Sequence, residues 1–464
     1  MALTETVPAG APPAHEGILR RQSLRESAAR TYARSLPIVP VRARGLTIEG
    51  ADGRRYLDCL SGAGTLALGH NHPVVLEAIR TVLDSGAPLH ILDLATPVKD
   101  AFTTELFATL PGELSEKARI QFCGPAGTDA VEAAFTLVRT ATGRSGLMAF
   151  SGAYHGMTSD ALTASGGARH TGVTRLPYPY DYRCPFGTGG ERGAELSARW
   201  TESLLDDHKS GVPRPAGMIL EPVQGEGGVI PAPPNWLRRM REITAARDIP
   251  LIVDEVQTGV GRTGTFWAVE QSGIVPDVLV LSKAIGGSLP LAVIVYREEL
   301  DAWQPGAHAG TFRGNQLAMA AGTATLAYVR RNGLDRRAAE LGARMLARLG
   351  GLAAAHDCIG DVRGRGLMLG VELVDRAADA DPTGARPADP ALAAAVQRAC
   401  LDRGLIVELG GRHSAVVRLL PPLTITDEQA DAILDRLADA VTAAVRTTPG
   451  PLGSSPTTLR GTSA

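Results

Sequence analysis

The sequence predicts an α/β fold built on a mostly parallel β-sheet. Two short apolar, β-branched runs, Leu251-Ile252-Val253-Asp254 and Val278-Leu279-Val280-Leu281-Ser282-Lys283, each end in a charged residue. Buried parallel strands read as continuous apolar runs, and ligand chemistry gathers beyond their carboxyl ends. From Arg119 onward, strand-like and helix-like segments alternate, the pattern of a sheet covered by helices. One junction, Ile120-Gln121-Phe122-Cys123 followed by Gly124-Pro125-Ala126-Gly127-Thr128-Asp129 and a helical stretch over 130–140, is a strand, a glycine-rich turn and a helix start.

The chain has 464 residues, enough for two or more cores. Its formal net charge of −2, without a basic patch, argues against a nucleic-acid partner. No apolar run approaches the roughly 18 residues that a membrane helix needs. No hydrophobic signal segment is apparent at the N-terminus, and Cys59, Cys123, Cys184, Cys358 and Cys400 are scattered without metal-ligand spacing. These features predict a cytoplasmic protein with reduced thiols.

In chain order, residues 1–14 read as disordered, and 15–36 as a charged helix. A hairpin is expected from Gly45 to Asp58, turning at Asp52-Gly53. A Gly/Asn/His loop then leads into a helix over 74–83. His70 and His72 lie in that loop without a third ligand, so they read as polar loop residues rather than a metal site. After the junction at 120–140 come a strand at 146–150, the segment Tyr154-His155-Gly156 and a long loop over 176–194. A strand follows at 218–222 and ends at Glu221-Pro222. Gln224-Gly225-Glu226-Gly227-Gly228 and a helix over 235–247 complete this region.

Gly259-Val260-Gly261-Arg262-Thr263-Gly264 matches a dinucleotide fingerprint in letters only. The motif requires a helix at its last glycines, and Thr265-Phe266-Trp267-Ala268-Val269 follows instead. A strand at 291–296 and the turn Gly310-Thr311-Phe312-Arg313-Gly314-Asn315 precede a helix over 316–329. Further helices are expected at 334–355 and 391–403, with strands at 367–372 and 416–420. Thr426-Asp427-Glu428-Gln429 is a capping box for a last helix, and 447–464 read as disordered.

Lys283 and Asp254, at the ends of neighbouring strands, form a chemical pair. A lysine there can condense with an aldehyde cofactor, and an aspartate can hold a protonated ring nitrogen. The turn at Gly124–Asp129 offers free N–H groups and a helix dipole to a phosphate. An aromatic at a strand end, Tyr154, can stack on a flat ring.

Together, Gly124–Glu132, Tyr154-His155-Gly156, Glu221–Gly228, Asp254–Gly264, Ser282-Lys283, Gly310–Asn315 and Arg418–Leu423 resemble the class III (ω-) aminotransferases of the fold-type I pyridoxal phosphate enzymes. They span nearly the whole chain, in the family's order. Within that family, Leu89–Thr96, Gly124–Ala134, Tyr154–Thr158 and Gly310–Asn315 resemble the diaminobutyrate–2-oxoglutarate aminotransferases. Pro177–Pro185 is similar to their siderophore-pathway members.

The resemblance implies a large pyridoxal 5'-phosphate domain over 71–325, with a mostly parallel seven-stranded sheet. It also implies a small α+β domain from 15–70 and 326–446, and a homodimer with shared active sites. It assigns Lys283 as the cofactor lysine, Asp254 as the partner of the ring nitrogen, and Gln257 as the partner of the ring hydroxyl. Gly127 and Thr128 would hold the phosphate, Tyr154 would stack on the ring, and Thr311 would reach the phosphate of the other subunit. Arg418 would take the α-carboxylate of 2-oxoglutarate, because a guanidinium matches a carboxylate bidentately. Glu221 would neutralise Arg418 while the donor is bound.

The implied reaction moves the 4-amino group between L-2,4-diaminobutyrate and 2-oxoglutarate. Alternatives are another ω-amine donor (ornithine, a polyamine or a β-amino acid) or a silent binding protein on the same fold. Met157 and Thr158 stand where related enzymes often carry an arginine for the donor's distal carboxylate, which argues against 4-aminobutyrate as the preferred donor.

Overall fold

The computed structural model describes residues 15–167 and 172–447. The disorder expected over 1–14 and 448–464 lies outside the described residues.

Seven strands form the central sheet, in the order Ala118–Phe122, Val293–Arg297, Val278–Leu281, Leu251–Asp254, Gly217–Leu220, Leu147–Phe150, Val173–Leu176. Leu251–Asp254 runs parallel to both neighbours. Val293–Arg297 is antiparallel to the strands beside it. Side chains alternate between faces. On one face Ile219, Ile252, Val280 and Ile294 pack with Ala130, Ala134, Leu137 and Val138 of the helix Gly127–Thr142. On the other, Leu220, Val253, Leu279 and Val295 belong to the core that holds Trp236, Leu237 and Met240 of the helix Pro234–Ala245. Both faces being covered explains the unbroken apolar runs. Each buried aliphatic side chain contributes about 2 kcal/mol, so the strand ends are held rigidly.

Two four-stranded sheets flank this centre. One joins Pro40–Arg44, Thr47–Gly50 and Arg55–Asp58 to Leu405–Ile406, and so unites the two ends of the chain. The other orders Ile359–Arg365, Met368–Leu373, Val416–Leu419 and Glu408–Gly410. The capping box forms reciprocally: the Gln429 N–H donates to Thr426 Oγ1 at 3.2 Å and the Thr426 N–H to Gln429 Oε1 at 3.0 Å. The last helix runs from Asp427 to Thr447, one residue into the expected tail.

Four local expectations are corrected. The charged stretch over 15–36 is two pieces, His15–Arg25 and Tyr32–Ser35, neither with a buried residue. The loop expected over 176–194 ends early, because a helix occupies Gly190–Asp206. Its buried face is Gly193, Ala194, Ser197, Ala198 and Thr201, too small and polar to give an apolar period. Val173–Leu176 is an edge strand with only Leu176 buried. Ile359–Arg365, a further strand not anticipated, has only Ile359 buried. Of the two loop histidines, His70 Nε2 bonds Asp58 Oδ2 at 2.8 Å and His72 meets the Tyr328 ring edge-on.

Candidate active site

The carboxyl ends of the central strands open onto a cavity of about 240 Å³, lined among others by Gly127, Thr128, Tyr154, Glu221, Glu226, Asp254, Gln257 and Lys283. Seven of the nine expected site residues therefore share one cavity. Arg418 lies behind Glu226, bonded to it at 2.8 Å. Thr311 is exposed and does not line the cavity.

Lys283 follows its strand by two residues and opens the short helix Lys283–Gly286. Its φ of 51° is left-handed, a conformation that costs a non-glycine residue about 1 kcal/mol or more and gathers at functional sites. Ser282 Oγ donates to Leu291 O at 2.8 Å and anchors the turn. Burial lowers the Lys283 pKa, with Glu226 opposing. A desolvated lysine has more of the neutral amine, which is the nucleophile.

Asp254 ends the adjacent strand, opposite Val280. Its Oδ1 accepts from the Val256 N–H at 3.0 Å, and its Oδ2 lies 2.8 Å from His155 Nδ1. With the proton on Nδ1, His155 donates to Asp254 and fixes its orientation. The fully buried Nε2 has no partner among the described residues. The expectations assigned His155 no role, although it stands in the Tyr154-His155-Gly156 segment.

At the helix Gly127–Thr142, Asp129 Oδ2 accepts from the Ala126 N–H, and Ala126 has no side-chain oxygen to cap the next turn. Gly127 and Thr128, at the start of the helix, line the cavity, so N–H groups of the first turn and the dipole are available to an anion there. Close approach is built in: a Cβ on Gly156, where φ is +126°, would stand 2.3 Å from Thr128 Oγ1. Gln257 donates to Ala63 O at 3.2 Å, and its buried Oε1 has no partner among the described residues. Tyr154 is 43% exposed, its ring lying against the cavity rather than in the core.

Glu221, expected to neutralise Arg418 while the donor is bound, is not bonded to it in this structure. Both Glu221 oxygens are taken by backbone, Oε1 by the Tyr154 N–H at 2.9 Å and Oε2 by the Gly225 N–H at 3.0 Å. Burial raises its pKa. Arg418 instead directs Nη2 at two acids, Glu226 Oε1 and Glu408 Oε2. Glu221 and Glu226 are five residues apart around Gly225, and spacing alone does not tell which one turns toward the arginine. Glu408 faces Arg418 across the antiparallel pair Glu408–Gly410 and Val416–Leu419. The Arg418 side chain is fully buried, yet its Nε and Nη1 have no partner among the described residues. Unpaired buried donors are costly; Nε and Nη1 lie on different edges of the guanidinium, so a bidentate grip on a ligand's carboxylate would use Nη2 with one of them and displace an acid from it.

These residues fit a pyridoxal phosphate: an amine, a carboxylate for the ring nitrogen, a helix N-terminus for the phosphate and an unpartnered amide oxygen all border one cavity.

The comparisons agree. The chain matches the family Aminotransferase class-III over residues 28–441, and it belongs to that family. It is a pyridoxal phosphate-dependent enzyme of fold type I, using an amino donor and an oxo-acid acceptor. It is 56% identical to the diaminobutyrate–2-oxoglutarate aminotransferase of Rhizobium meliloti (strain 1021), over 91% of this chain and 92% of that protein. The Haemophilus influenzae protein of the same name is 49% identical, over 93% and 96%. Among solved structures, a PLP-bound amine transaminase from an uncultivated Pseudomonas species superposes with a TM-score of 0.79 at 29% identity, over 90% of this chain and 98% of that one.

Proposed function

We propose that this protein moves the 4-amino group of L-2,4-diaminobutyrate to 2-oxoglutarate, giving L-aspartate 4-semialdehyde and L-glutamate. The observation that carries the reading is Arg418, a buried guanidinium whose Nε and Nη1 have no partner among the described residues and whose Nη2 is shared by Glu226 and Glu408. An enzyme that alternates between two substrates needs such a group. It must accept the α-carboxylate of the oxo acid, yet be screened while the donor's C4, which carries no carboxylate, sits at the same place. Relatives 56% and 49% identical bear this activity in their names.

The cofactor supplies an electrophilic carbonyl and a ring that takes up electrons. Lys283 Nζ would hold it and, once released, would take the proton from the donor's C4. Asp254, oriented by His155, would set its negative charge toward the ring nitrogen. Gln257 Oε1 would accept from the ring hydroxyl, the Gly127 and Thr128 N–H groups would donate to the phosphate, and Tyr154 would cover the ring.

The large and small domains divide near residues 70 and 325. The support for this division is that the flanking sheets draw on residues 40–58 and 359–419. Two copies form the working unit, with Thr311 reaching the cofactor phosphate of the other subunit. Supporting this, Leu89, Leu92, Leu94 and Phe312 are exposed. A groove of about 610 Å³ between Pro73–Asp84, Pro97–Phe107 and Gln316–Arg331 is mostly apolar.

A donor screen tests the substrate. With 2-oxoglutarate as acceptor, glutamate forms fastest from L-2,4-diaminobutyrate, at least tenfold ahead of ornithine, polyamines and β-amino acids in kcat/KM, a margin of about 1.4 kcal/mol. A faster rate with any of those donors would replace the assignment.

A further inference from the structure

The segment Gly259-Val260-Gly261-Arg262-Thr263-Gly264 holds a buried cation that the proposed chemistry does not use. Arg262 is 2% exposed. Its Nη1 donates to two carbonyls, Leu367 O at 3.1 Å and Pro421 O. The Leu367 N–H returns a bond to Arg262 O at 3.0 Å. No carboxylate pairs with this arginine among the described residues, and its Nη2 has no partner among them either. Burial lowers its pKa to about 10, with only the Cys59 thiol opposing. An apolar side chain would fill the place without the cost of a buried charge, so packing alone does not explain an arginine.

The two carbonyls belong to one sheet end. Leu369 pairs with Leu419 in the antiparallel ladder of Met368–Leu373 and Val416–Leu419. Leu367 and Pro421, two residues outward on each strand, therefore face each other just beyond it. Pro421 has no N–H to offer Leu367 O, so the ladder stops there with carbonyls to satisfy. Arg262 Nη1 closes it, three residues past Arg418.

On its other side, Arg262 stands five residues beyond Gln257, which lines the active-site cavity together with Thr258. The path between is tied down: the Gly259 N–H donates to Glu255 O at 3.1 Å, and Thr258 Oγ1 donates to the Glu255 carboxylate. Gly366 lets the two backbones meet, since its φ is +55° and a Cβ there would lie 2.5 Å from Arg262 O.

We propose that Arg262 is a positioning residue for the oxo-acid half of the reaction: by gripping both strands at one end of the sheet that carries Arg418, it sets that guanidinium against the cavity wall. This rests on the reading of Arg418 as the carboxylate site for 2-oxoglutarate and extends it. A displacement of about 1 Å is enough to weaken a ligand that depends on the guanidinium, and it spares one that does not.

The test mixes the amine-loaded enzyme with either of two acceptors, 2-oxoglutarate or L-aspartate 4-semialdehyde, in a stopped-flow instrument. The semialdehyde has no carboxylate on its reacting carbon and does not need Arg418. In Arg262→Met the apparent affinity for 2-oxoglutarate falls about tenfold at a limiting rate near wild type, while the semialdehyde reacts as it does in the wild type. Arg262→Lys, whose ammonium can still meet one carbonyl, shows the same selective loss at about threefold, and it decides the matter if Arg262→Met does not fold. Unchanged 2-oxoglutarate affinity, or equal losses with both acceptors, would overturn the role of Arg262 and leave it a structural clamp. Arg418→Ala is the reference: equal damage with both acceptors in that variant would overturn the reading of Arg418 itself, whereas damage confined to 2-oxoglutarate keeps it and leaves the Arg262 variants to be judged on their own.

Discussion

At the residue scale, the chemistry rests on charges placed where water is excluded. Asp254 ends a strand, and both its oxygens are held, by the Val256 N–H and by His155. Asp254→Asn keeps that shape, since His155 can change tautomer to suit an amide. It removes the charge that would keep the ring nitrogen protonated. We expect kcat to fall about a thousandfold, the scale seen when one preorganised electrostatic partner is lost, with melting temperature and cofactor content near wild type. Steady-state kinetics on the loaded variant checks this, and a loss below about tenfold would assign the ring proton to another group. Lys283 and Asp254 were legible because each closes an apolar run. The partners of Arg418 were not. Glu226 competes with Glu221 for the same role within six residues, and Glu408 reaches the guanidinium through the register of two short paired strands.

At the element scale, the strand Leu251–Asp254 is tied to the turn after it through Glu255. This buried carboxylate accepts from Thr258 Oγ1 and from the Val269 N–H, at the start of the helical turn Ala268–Ser272. Burial pushes its pKa up to about 7 from an ordinary 4.5. The folded state therefore binds a proton that the unfolded chain has already released. The stability from this group is fully present below about pH 4.5 and is lost as pH rises through 7, by on the order of 3 kcal/mol. Glu255→Gln resembles the protonated form and removes that slope. Denaturant unfolding at pH 5 and pH 8 should show a smaller stability difference in the variant than in the wild type. An unchanged difference would mean that Glu255 stays ionised in the fold. Helices and strands with large apolar residues on one side were readable in the sequence. Gly190–Asp206 was not, because its buried side is glycine, alanine, serine and threonine. Val173–Leu176 escaped notice for the opposite reason: it is an edge strand that buries one residue of four.

At the scale of the whole molecule, the architecture brings two remote parts of the chain to one place. The central sheet supplies Asp254 and Lys283. The sheet built on Met368–Leu373 and Val416–Leu419 supplies Arg418, and Glu408 lies on the strand beside it. The parallel order of the centre followed from its apolar runs. The joining of both chain ends in a flanking sheet did not, because Leu405–Ile406 is two residues long and its pairing with Leu57 and Asp58 is purely tertiary.

We propose that Arg418 serves one half of the catalytic cycle and is screened in the other. Stopped-flow measurement of the two half-reactions separately, in wild type and Arg418→Ala, tests it most directly. The reaction of the amine-loaded enzyme with 2-oxoglutarate should lose about a hundredfold in apparent affinity, the cost of a charged hydrogen-bonded pair. The reaction of the aldehyde-loaded enzyme with L-2,4-diaminobutyrate should slow by no more than about tenfold, the remainder of the effect coming from leaving Glu226 and Glu408 unpaired. Equal damage to both half-reactions would contradict the account and make Arg418 a structural or donor-binding residue.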